Sequence, residues 1–165
     1  SYFDYVLDHI YTPAGMTNTD AYDKDGPEPN KATGYLKIYT DNGVQWMSAT
    51  GERVMKGMPS GGSFSTVEDL LRFDIALREH KLLGPEYTEM VLSPKPEINS
   101  PFYGYGFNIY DCQVGRVAEH GGDGTGIQSS FRMYLDEGYT VAVLANRNAP
   151  AAGIVDHVIH QLINR

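Results

Sequence analysis

The sequence has 165 residues, of which 41% are hydrophobic and 21% are charged, a length and composition typical of one globular domain. Its formal net charge is -8, and because so acidic a chain repels phosphate backbones, we expect no nucleic-acid partner. A single cysteine, Cys112, excludes an internal disulfide, and no apolar run is long enough to span a bilayer.

The chain starts with a predicted helix over residues 2–10, where apolar side chains recur at helical spacing. Pro13 and Gly15 are expected to end this helix. Such an apolar stripe needs a packing partner, and nothing in the sequence precedes it. We therefore expect the chain to be a fragment of a longer protein, for which a missing export signal says little about location.

Residues 17–60 are rich in glycine, proline, asparagine, aspartate and threonine, which predicts a long irregular segment. A short strand is expected around Tyr35–Tyr39. Three aspartates in the segment do not fit a calcium-binding loop, because no carboxylate falls at its closing position, and we interpret them as solvated. These aspartates are Asp20, Asp23 and Asp25.

Two helices are predicted in the next part of the chain. Ser65 and Glu68 have the spacing of a capping box, which starts a helix that runs to about His80. Its broad apolar face consists of Val67, Leu70, Leu71, Phe73 and Leu77. Pro85 starts a second, shorter helix, which the Pro-rich residues 93–96 end.

From Tyr103 onward the pattern has the period of strands, followed by one helix. The expected strands are 103–110, 114–119, 127–135 and 139–145. Residues 136–138 form a tight hairpin turn, and the last strand is apolar on both faces, which indicates that both are covered. A helix from about Ala151 has an apolar double stripe that should pack on the sheet, namely Ile154, Val155, Val158, Ile159, Leu162 and Ile163. This architecture is α+β.

His120 is followed by four glycines within six residues, which leaves a bare backbone that another molecule can approach closely. Gly121 and Gly122 would let a substrate amide lie flat along the strand edge, in the manner of an added strand. The pattern therefore indicates half of a binding or catalytic site. The alternative is a glycine-rich loop between strands, with a solvated histidine.

A nucleophile for this site is not evident. The sequence contains no G-x-S-x-G, S-x-x-K, Y-x-N or S-x-N pattern. Ser63 or Ser65 acting with His120 is a weaker alternative, because Ser65 is better explained as a helix cap. His157 and His160 lie one helical turn apart, but without a third ligand we interpret them as a solvated helix face and not as a metal site.

Five motifs, taken in order, resemble those of serine β-lactamases and penicillin-binding-protein-like hydrolases, specifically the class C β-lactamase/esterase branch. Residues 13–19 are similar to P-L-G-M-x-x-T, with Ala14 in place of leucine. The other four are 61–70 (similar to G-G-L-x-S-T-x-x-D-L), 103–107 (Y-G-x-G-W), 120–122 (K-T-G or H-x-G) and 141–147 (V-x-V-L-x-N). Together these matches run through nearly the whole chain.

The resemblance implies part of a β-lactamase/transpeptidase-like fold. Residues 1–100 would belong to its helical lobe with long loops, and 101–165 would form the C-terminal half of the antiparallel sheet plus the terminal helix. The implied activity is that of a serine hydrolase of the β-lactamase, D-alanyl peptidase or esterase type, which transfers an acyl group through a serine ester. Without the S-x-x-K and Y-x-N motifs the fragment itself would be inactive, and the alternative is a non-catalytic peptide- or partner-binding module.

In the site that the resemblance implies, His120 faces the substrate and helps in proton transfer or carboxylate recognition. The backbone N–H of Asp123 is one oxyanion-hole donor. Gly121, Gly122 and Gly124 contact a small-molecule or peptide substrate that has an acyl or amide group. No metal and no cofactor are implied, and the mostly exported family suggests a periplasmic or exported location. An incomplete sheet would also expose an apolar edge, from which we expect self-association.

Overall fold

The computed structural model describes residues 1–22, 30–50, 57–148 and 150–165. The chain begins with one helical segment in three parts, which are α1 (Tyr2–Val6), a π-helical turn (Leu7–Tyr11) and α2 (Thr12–Ala14). Pro13 lies in the first turn of α2 and does not end the segment, which continues past it to Ala14. Gly15 ends it with a left-handed φ of 73°, as expected.

Strands β1 (Tyr35–Thr40) and β2 (Gly43–Ser48) form an antiparallel hairpin. The short strand that the sequence predicted is therefore the first arm of a pair. The base of the hairpin is tied to the rest of the chain, because the Tyr35 N–H donates to the carbonyl of Asn146. Two of the three aspartates interpreted as solvated, Asp23 and Asp25, lie outside the described residues.

Helix α3 (Val67–Arg78) starts one residue later than the capping box predicted. Thr66 is the N-cap, and its hydroxyl accepts a hydrogen bond of 3.2 Å from the N–H of Asp69. The Ser65 hydroxyl instead pairs with that of Thr19 at 2.7 Å. The cap prediction was wrong because Ser65 has a tertiary partner, which the local spacing does not reveal.

The apolar face predicted for α3 is also wrong in part. Val67 and Leu71 are exposed, whereas Asp69 and Asp74 are fully buried together with Leu77. Each buried carboxylate is paired, as burial of a charge requires. Asp69 accepts from the Asn18 N–H and the Thr19 hydroxyl, and Asp74 accepts from Arg78 and Thr140.

Helix α4 (Pro85–Val91) has Pro85 at its first position, as predicted. The segment after it, expected to be a strand from Tyr103, becomes one only at β3 (Asn108–Cys112). Gly104 lies so close to α4 that a Cβ there would be 2.6 Å from the Val91 carbonyl oxygen. The chain then turns back on itself: the Gly104 N–H donates to the Phe107 carbonyl, and Tyr103 forms an antiparallel bridge with Asn108.

The remaining strands are β4 (Gly115–Gly124), β5 (Ile127–Tyr134) and β6 (Tyr139–Ala145), and helix α5 (Ala151–Ile163) follows them. The sheet is antiparallel in the order β3-β4-β5-β6. The turn between β5 and β6 contains Gly138 with φ of 76°, so the predicted hairpin is confirmed. None of the helices in the described ranges is both long and apolar enough to cross a membrane.

Two apolar clusters cover the two faces of this sheet. On one face, Leu77 of α3 and Leu92 pack with Ala118 and Met133. On the other face, Val117, Tyr134 and Val141 pack with residues of α5. Strand β6 contacts both α3 and α5, so it is covered on both faces as predicted, although Tyr139 and Leu144 at its ends are exposed. The α+β class is confirmed.

The apolar stripe of α5 packs on the sheet only in part. Ile159 and Ile163 join the second cluster, as expected. The prediction is wrong for Ile154, Val155, Val158 and Leu162, which are 47% to 57% exposed. The helix instead turns Ala152 and Asp156 inward. Its rotation is set by Asp156, which forms an ion pair with Arg132 of β5.

Candidate functional site

The glycine-rich stretch is the second half of strand β4 and not a loop, since only residues 125–126 form a turn. Residues 117–124 of β4 pair with β5, whereas β3 pairs only with residues 115–119. Among the described residues, the strand from His120 to Gly124 therefore has a neighbouring strand on one side only. Its other side is an edge that no described strand covers.

The register identifies which backbone groups this edge presents. Gly124 and Ile127 close a two-residue turn, so their N–H and C=O groups face each other. These directions alternate along an antiparallel strand, and the groups of His120 and Gly122 therefore also point to β5. The N–H and C=O groups of Gly121 and Asp123 point outward. Two outward amides, two residues apart, are a template on which an extended substrate could align.

His120 is exposed at the start of this open edge. Its Nδ1–H donates a 2.7 Å hydrogen bond to the carbonyl oxygen of Gly121. In the neutral imidazole this bond leaves Nε2 as the free acceptor, which is the state a proton-accepting group needs. The ring of Tyr103 packs edge-on against that of His120, with 6.2 Å between the ring centroids. Tyr103 thus borders the edge where β3 stops, a placement that the sequence did not predict.

Glu119, the residue before His120, belongs to a buried ionic network on the other face of the sheet. Its Oε2 accepts from Arg132 Nε at 2.7 Å and from the Tyr110 hydroxyl at 3.1 Å. Arg132 also pairs with Asp156 of α5, with 2.8 Å between Nη2 and Oδ2. Burial raises the pKa of Tyr110, so its hydroxyl stays protonated and donates. The network joins β3, β4, β5 and α5 directly behind the glycine edge.

His160 of α5 lies beside this network. Its ring stacks on Tyr134, and its Nδ1 lies 2.8 Å from the Tyr134 hydroxyl. Burial and the nearby Arg132 lower the pKa of His160, which favours the neutral ring. The interpretation as a solvated residue is therefore wrong for His160, whereas His157 is exposed. Within the described ranges no group of three or more candidate ligands is placed to hold a metal ion.

The two serines considered as alternative nucleophiles belong to the helical part of the chain. Ser63 accepts a 3.4 Å hydrogen bond from the Tyr11 hydroxyl, and Ser65 pairs with Thr19. Among the hydrogen bonds of the described residues, neither serine is paired with His120. The part of the chain that the structure describes thus contributes a bare strand edge and His120 to the candidate site. The edge consists of Gly121, Gly122, Asp123 and Gly124, whose positions are fixed by the pairing of β4 with β5.

Comparison with known proteins gives one consistent family. A sequence model of the Beta-lactamase family matches residues 1–163. Over 99% of its length, the chain is 29% identical to PbpX of Bacillus subtilis, which is named as a penicillin-binding protein. The crystal structure of a penicillin-binding protein from Bacillus halodurans superposes on 98% of the chain with a TM-score of 0.85 at 26% identity.

A D-amino acid amidase from Ochrobactrum anthropi superposes on 98% of the chain with a TM-score of 0.68 at 20% identity, a likeness that shows the fold alone. The chain spans 39% of PbpX, 49% of the Bacillus halodurans protein and 50% of the amidase. The fold that the motifs implied is therefore shared with proteins about twice as long.

Proposed function

The chain belongs to the Beta-lactamase family, and we propose that the protein to which it contributes is a serine hydrolase that transfers acyl groups through a serine ester. The observation that carries this proposal is the open glycine edge of β4 with His120 at its start. The relatives named as penicillin-binding proteins support a substrate with an acyl or amide group, either a small molecule or a peptide.

In the proposed reaction, the substrate lies along the open edge in extended form. The outward carbonyl of Gly121 and the outward N–H of Asp123 pair with its backbone or acyl group. When the carbonyl carbon is attacked, the oxygen becomes negative, and the fixed N–H of Asp123 stabilises it. Because Gly121 and Gly122 have no side chains, the substrate has room to approach the strand closely. His120 accepts or delivers a proton at Nε2.

The attacking serine is proposed to come from a segment outside these 165 residues. The sequence contains neither S-x-x-K nor Y-x-N, so no serine in it has an adjacent lysine base of the type that the family resemblance implies. We accordingly expect this chain alone to show no turnover of nitrocefin or of p-nitrophenyl esters. Clear turnover that a substitution of His120 abolishes would contradict the missing nucleophile.

The oxyanion role is testable in the complete gene product with two variants at one position. Asp123→Pro removes the outward N–H, which an edge position tolerates, while Asp123→Asn keeps it. Loss of one oxyanion donor lowers kcat by about 100- to 1000-fold, so the proline variant should fall by that factor and the asparagine variant by far less. Equal losses in both variants would assign the effect to the carboxylate and remove the N–H from the mechanism.

The second candidate is a non-catalytic module of the same fold that binds a peptide or a partner. The feature that favours it is the same open edge, because strand addition needs no nucleophile. The two candidates differ in covalent chemistry. A serine hydrolase acquires the mass of the acyl group when the complete product is mixed with a slow β-lactam or ester, whereas a binding module does not.

A further inference from the structure

Two interactions orient the imidazole of His120 in the described part of the chain. Its Nδ1–H donates to the carbonyl oxygen of Gly121 at 2.7 Å, and the ring of Tyr103 lies against it with an interplanar angle of 69°. The hydrogen bond alone leaves the ring some freedom, because rotation about the Cβ–Cγ bond of histidine has broad energy minima. Gly121 and Gly122, the next two residues, have no side chains that could confine it. The ring of Tyr103 therefore supplies the second restraint.

Phe131, the neighbour of His120 on strand β5, has a different aromatic partner. It lies directly opposite His120 in the register, so both side chains are on the same face of the sheet. The ring of Phe131, however, pairs with that of Phe73 of α3, with 6.1 Å between the centroids, and packs against the first apolar cluster. The aromatic contact of His120 thus comes from Tyr103, in the segment before β3.

The backbone around Tyr103 is fixed by several hydrogen bonds. The carbonyl of Phe102 accepts from the N–H of Ile109 at 2.9 Å, and Tyr103 forms an antiparallel bridge with Asn108. The carbonyl oxygen of Tyr103 also accepts from the Ser100 hydroxyl at 3.1 Å. Because this backbone is already ordered, Tyr103 can restrain His120 at little additional cost in conformational entropy.

The ring of Tyr103, and not its hydroxyl, makes the contact with His120. Among the described residues, the hydrogen bonds of Tyr103 involve only its backbone. An edge-to-face pair is an interaction between two rings, for which a hydroxyl is not needed. Tyr103 is 37% exposed, so its side chain reaches the surface beside the exposed His120. Phenylalanine should therefore be able to replace tyrosine at this position.

We propose that Tyr103 is a positioning residue for the proposed acyl transfer: its ring keeps the imidazole of His120 in the orientation that ties Nδ1 to Gly121 and leaves Nε2 free. This inference rests on the proposed function, in which His120 accepts or delivers a proton at Nε2. A proton-transfer group acts only when it lies within hydrogen-bond reach of the proton that moves. Without the ring of Tyr103 the imidazole samples other orientations, and fewer molecules have Nε2 in place.

The first test measures acyl transfer in variants of the complete gene product. A p-nitrophenyl ester is mixed with excess enzyme, and the release of p-nitrophenol is followed over a single turnover. Tyr103→Leu removes the ring and should lower the maximal rate about tenfold, which is part of the roughly 100- to 10,000-fold that proton transfer contributes. The concentration at half-maximal rate should change less than about twofold, because the strand edge is unaltered. Tyr103→Phe keeps the ring and should retain the rate within about twofold.

Tyr105→Leu is the matched control in the same segment. Tyr105 lies two residues further along the chain, and the ammonium of Lys95 lies 5.4 Å from its ring centroid. Tyr105 is also exposed, so this variant loses an aromatic ring at the surface without loss of the contact with His120. Its maximal rate should change less than about twofold. A general effect of altering this segment would instead appear in both leucine variants.

The second test observes the imidazole by nuclear magnetic resonance and does not depend on turnover. In the complete gene product, isotope-labelled at histidine Cε1, the signal of His120 is identified by its absence in His120→Gln. The ring of Tyr103 should shift this signal and give a nuclear Overhauser contact with it. Both effects should persist in Tyr103→Phe and be lost in Tyr103→Leu. If Tyr103→Leu does not fold, the contact in the unchanged protein and the rate of Tyr103→Phe still test the proposal.

Four results would overturn the proposal. These are an unchanged maximal rate in Tyr103→Leu, an equal loss in Tyr105→Leu, a loss in Tyr103→Phe as large as in Tyr103→Leu, and absence of the Overhauser contact in the unchanged protein. The third result would assign the effect to the hydroxyl of Tyr103. Absence of any acyl-enzyme in the unchanged product would overturn the proposed hydrolase function, and the positioning role with it, even where the two rings are in contact.

Discussion

Replacement of Arg132 by methionine should destabilise the domain far more than replacement of a surface arginine. Arg132 is 8% exposed and bridges Glu119 of β4 and Asp156 of α5. Methionine retains an apolar side chain of similar reach, so the main loss is the charge. The variant leaves two carboxylates without their cation, of which Asp156 is itself 6% exposed.

The loss in the free energy of unfolding depends on which hydrogen-bond donors each carboxylate retains. Glu119 retains the hydroxyl of Tyr110 as a donor, whereas Asp156 has only Arg132 as a partner among the described residues, and its Oδ1 is already unpaired. Removal of one partner from a buried ion pair costs about 3–5 kcal/mol. We expect the upper part of that range, because two carboxylates lose the same cation.

Arg116→Met is the matched control on the neighbouring strand. Arg116 pairs with Glu89 at 3.0 Å, but both side chains are exposed, and such pairs contribute at most about 1 kcal/mol. Urea unfolding followed by far-UV circular dichroism gives both free energies of unfolding. A difference below about 1 kcal/mol between the variants would refute the reasoning, since burial would then not decide the cost.

Two further predictions concern α5 and α3. Folding lowers the pKa of His160, so the unfolded chain binds more protons at this residue, and the free energy of unfolding should fall as the pH drops through and below about 6.5. In urea unfolding at several pH values, His160→Gln should flatten this dependence on pH. The same substitution at the exposed His157 should leave the dependence in place. Asp69→Ala removes the acceptor of the Asn18 N–H and of the Thr19 hydroxyl together with the ionic partner of Arg72, and should cost about 3 kcal/mol by thermal unfolding. Glu68 is adjacent and exposed, so Glu68→Ala should cost under about 0.5 kcal/mol. If the two variants lost equal stability, the capping box first predicted for Ser65 and Glu68 would be supported instead.

The elements that the sequence predicted well are those specified by local patterns. The strand pattern of β5 and β6, the glycine turn between them and the proline at the start of α4 all depend on residues a few positions apart. The start of α3 was misplaced because Asp69 and Ser65 find their partners near Thr19, roughly fifty positions away. No local spacing contains that information.

The orientation of α5 shows the same limit. Its six apolar residues predict a wide buried stripe, but four of them are exposed. Helix amphipathicity gives the width of a face and not its exact direction. Asp156, which the sequence analysis did not single out, and His160, which it interpreted as solvated, contact Arg132 and Tyr134 of the sheet instead. The open edge at His120 was predicted because glycine runs act locally, whereas the ionic network behind it was not.

The open edge of β4 depends on a motif that lies well before it in the chain. A strand continuing from Tyr103 into β3 would pair along β4 as far as the glycines and cover them. The chain does not continue in this way, because it turns between Gly104 and Phe107 and brings Tyr103 back beside Asn108. Tyr103 is then left with its ring beside His120, at the point where the pairing of β4 with β3 stops. In the proposed site, the turn in the Y-G-x-G-F motif leaves the edge of β4 uncovered, and the glycines after His120 leave room beside it.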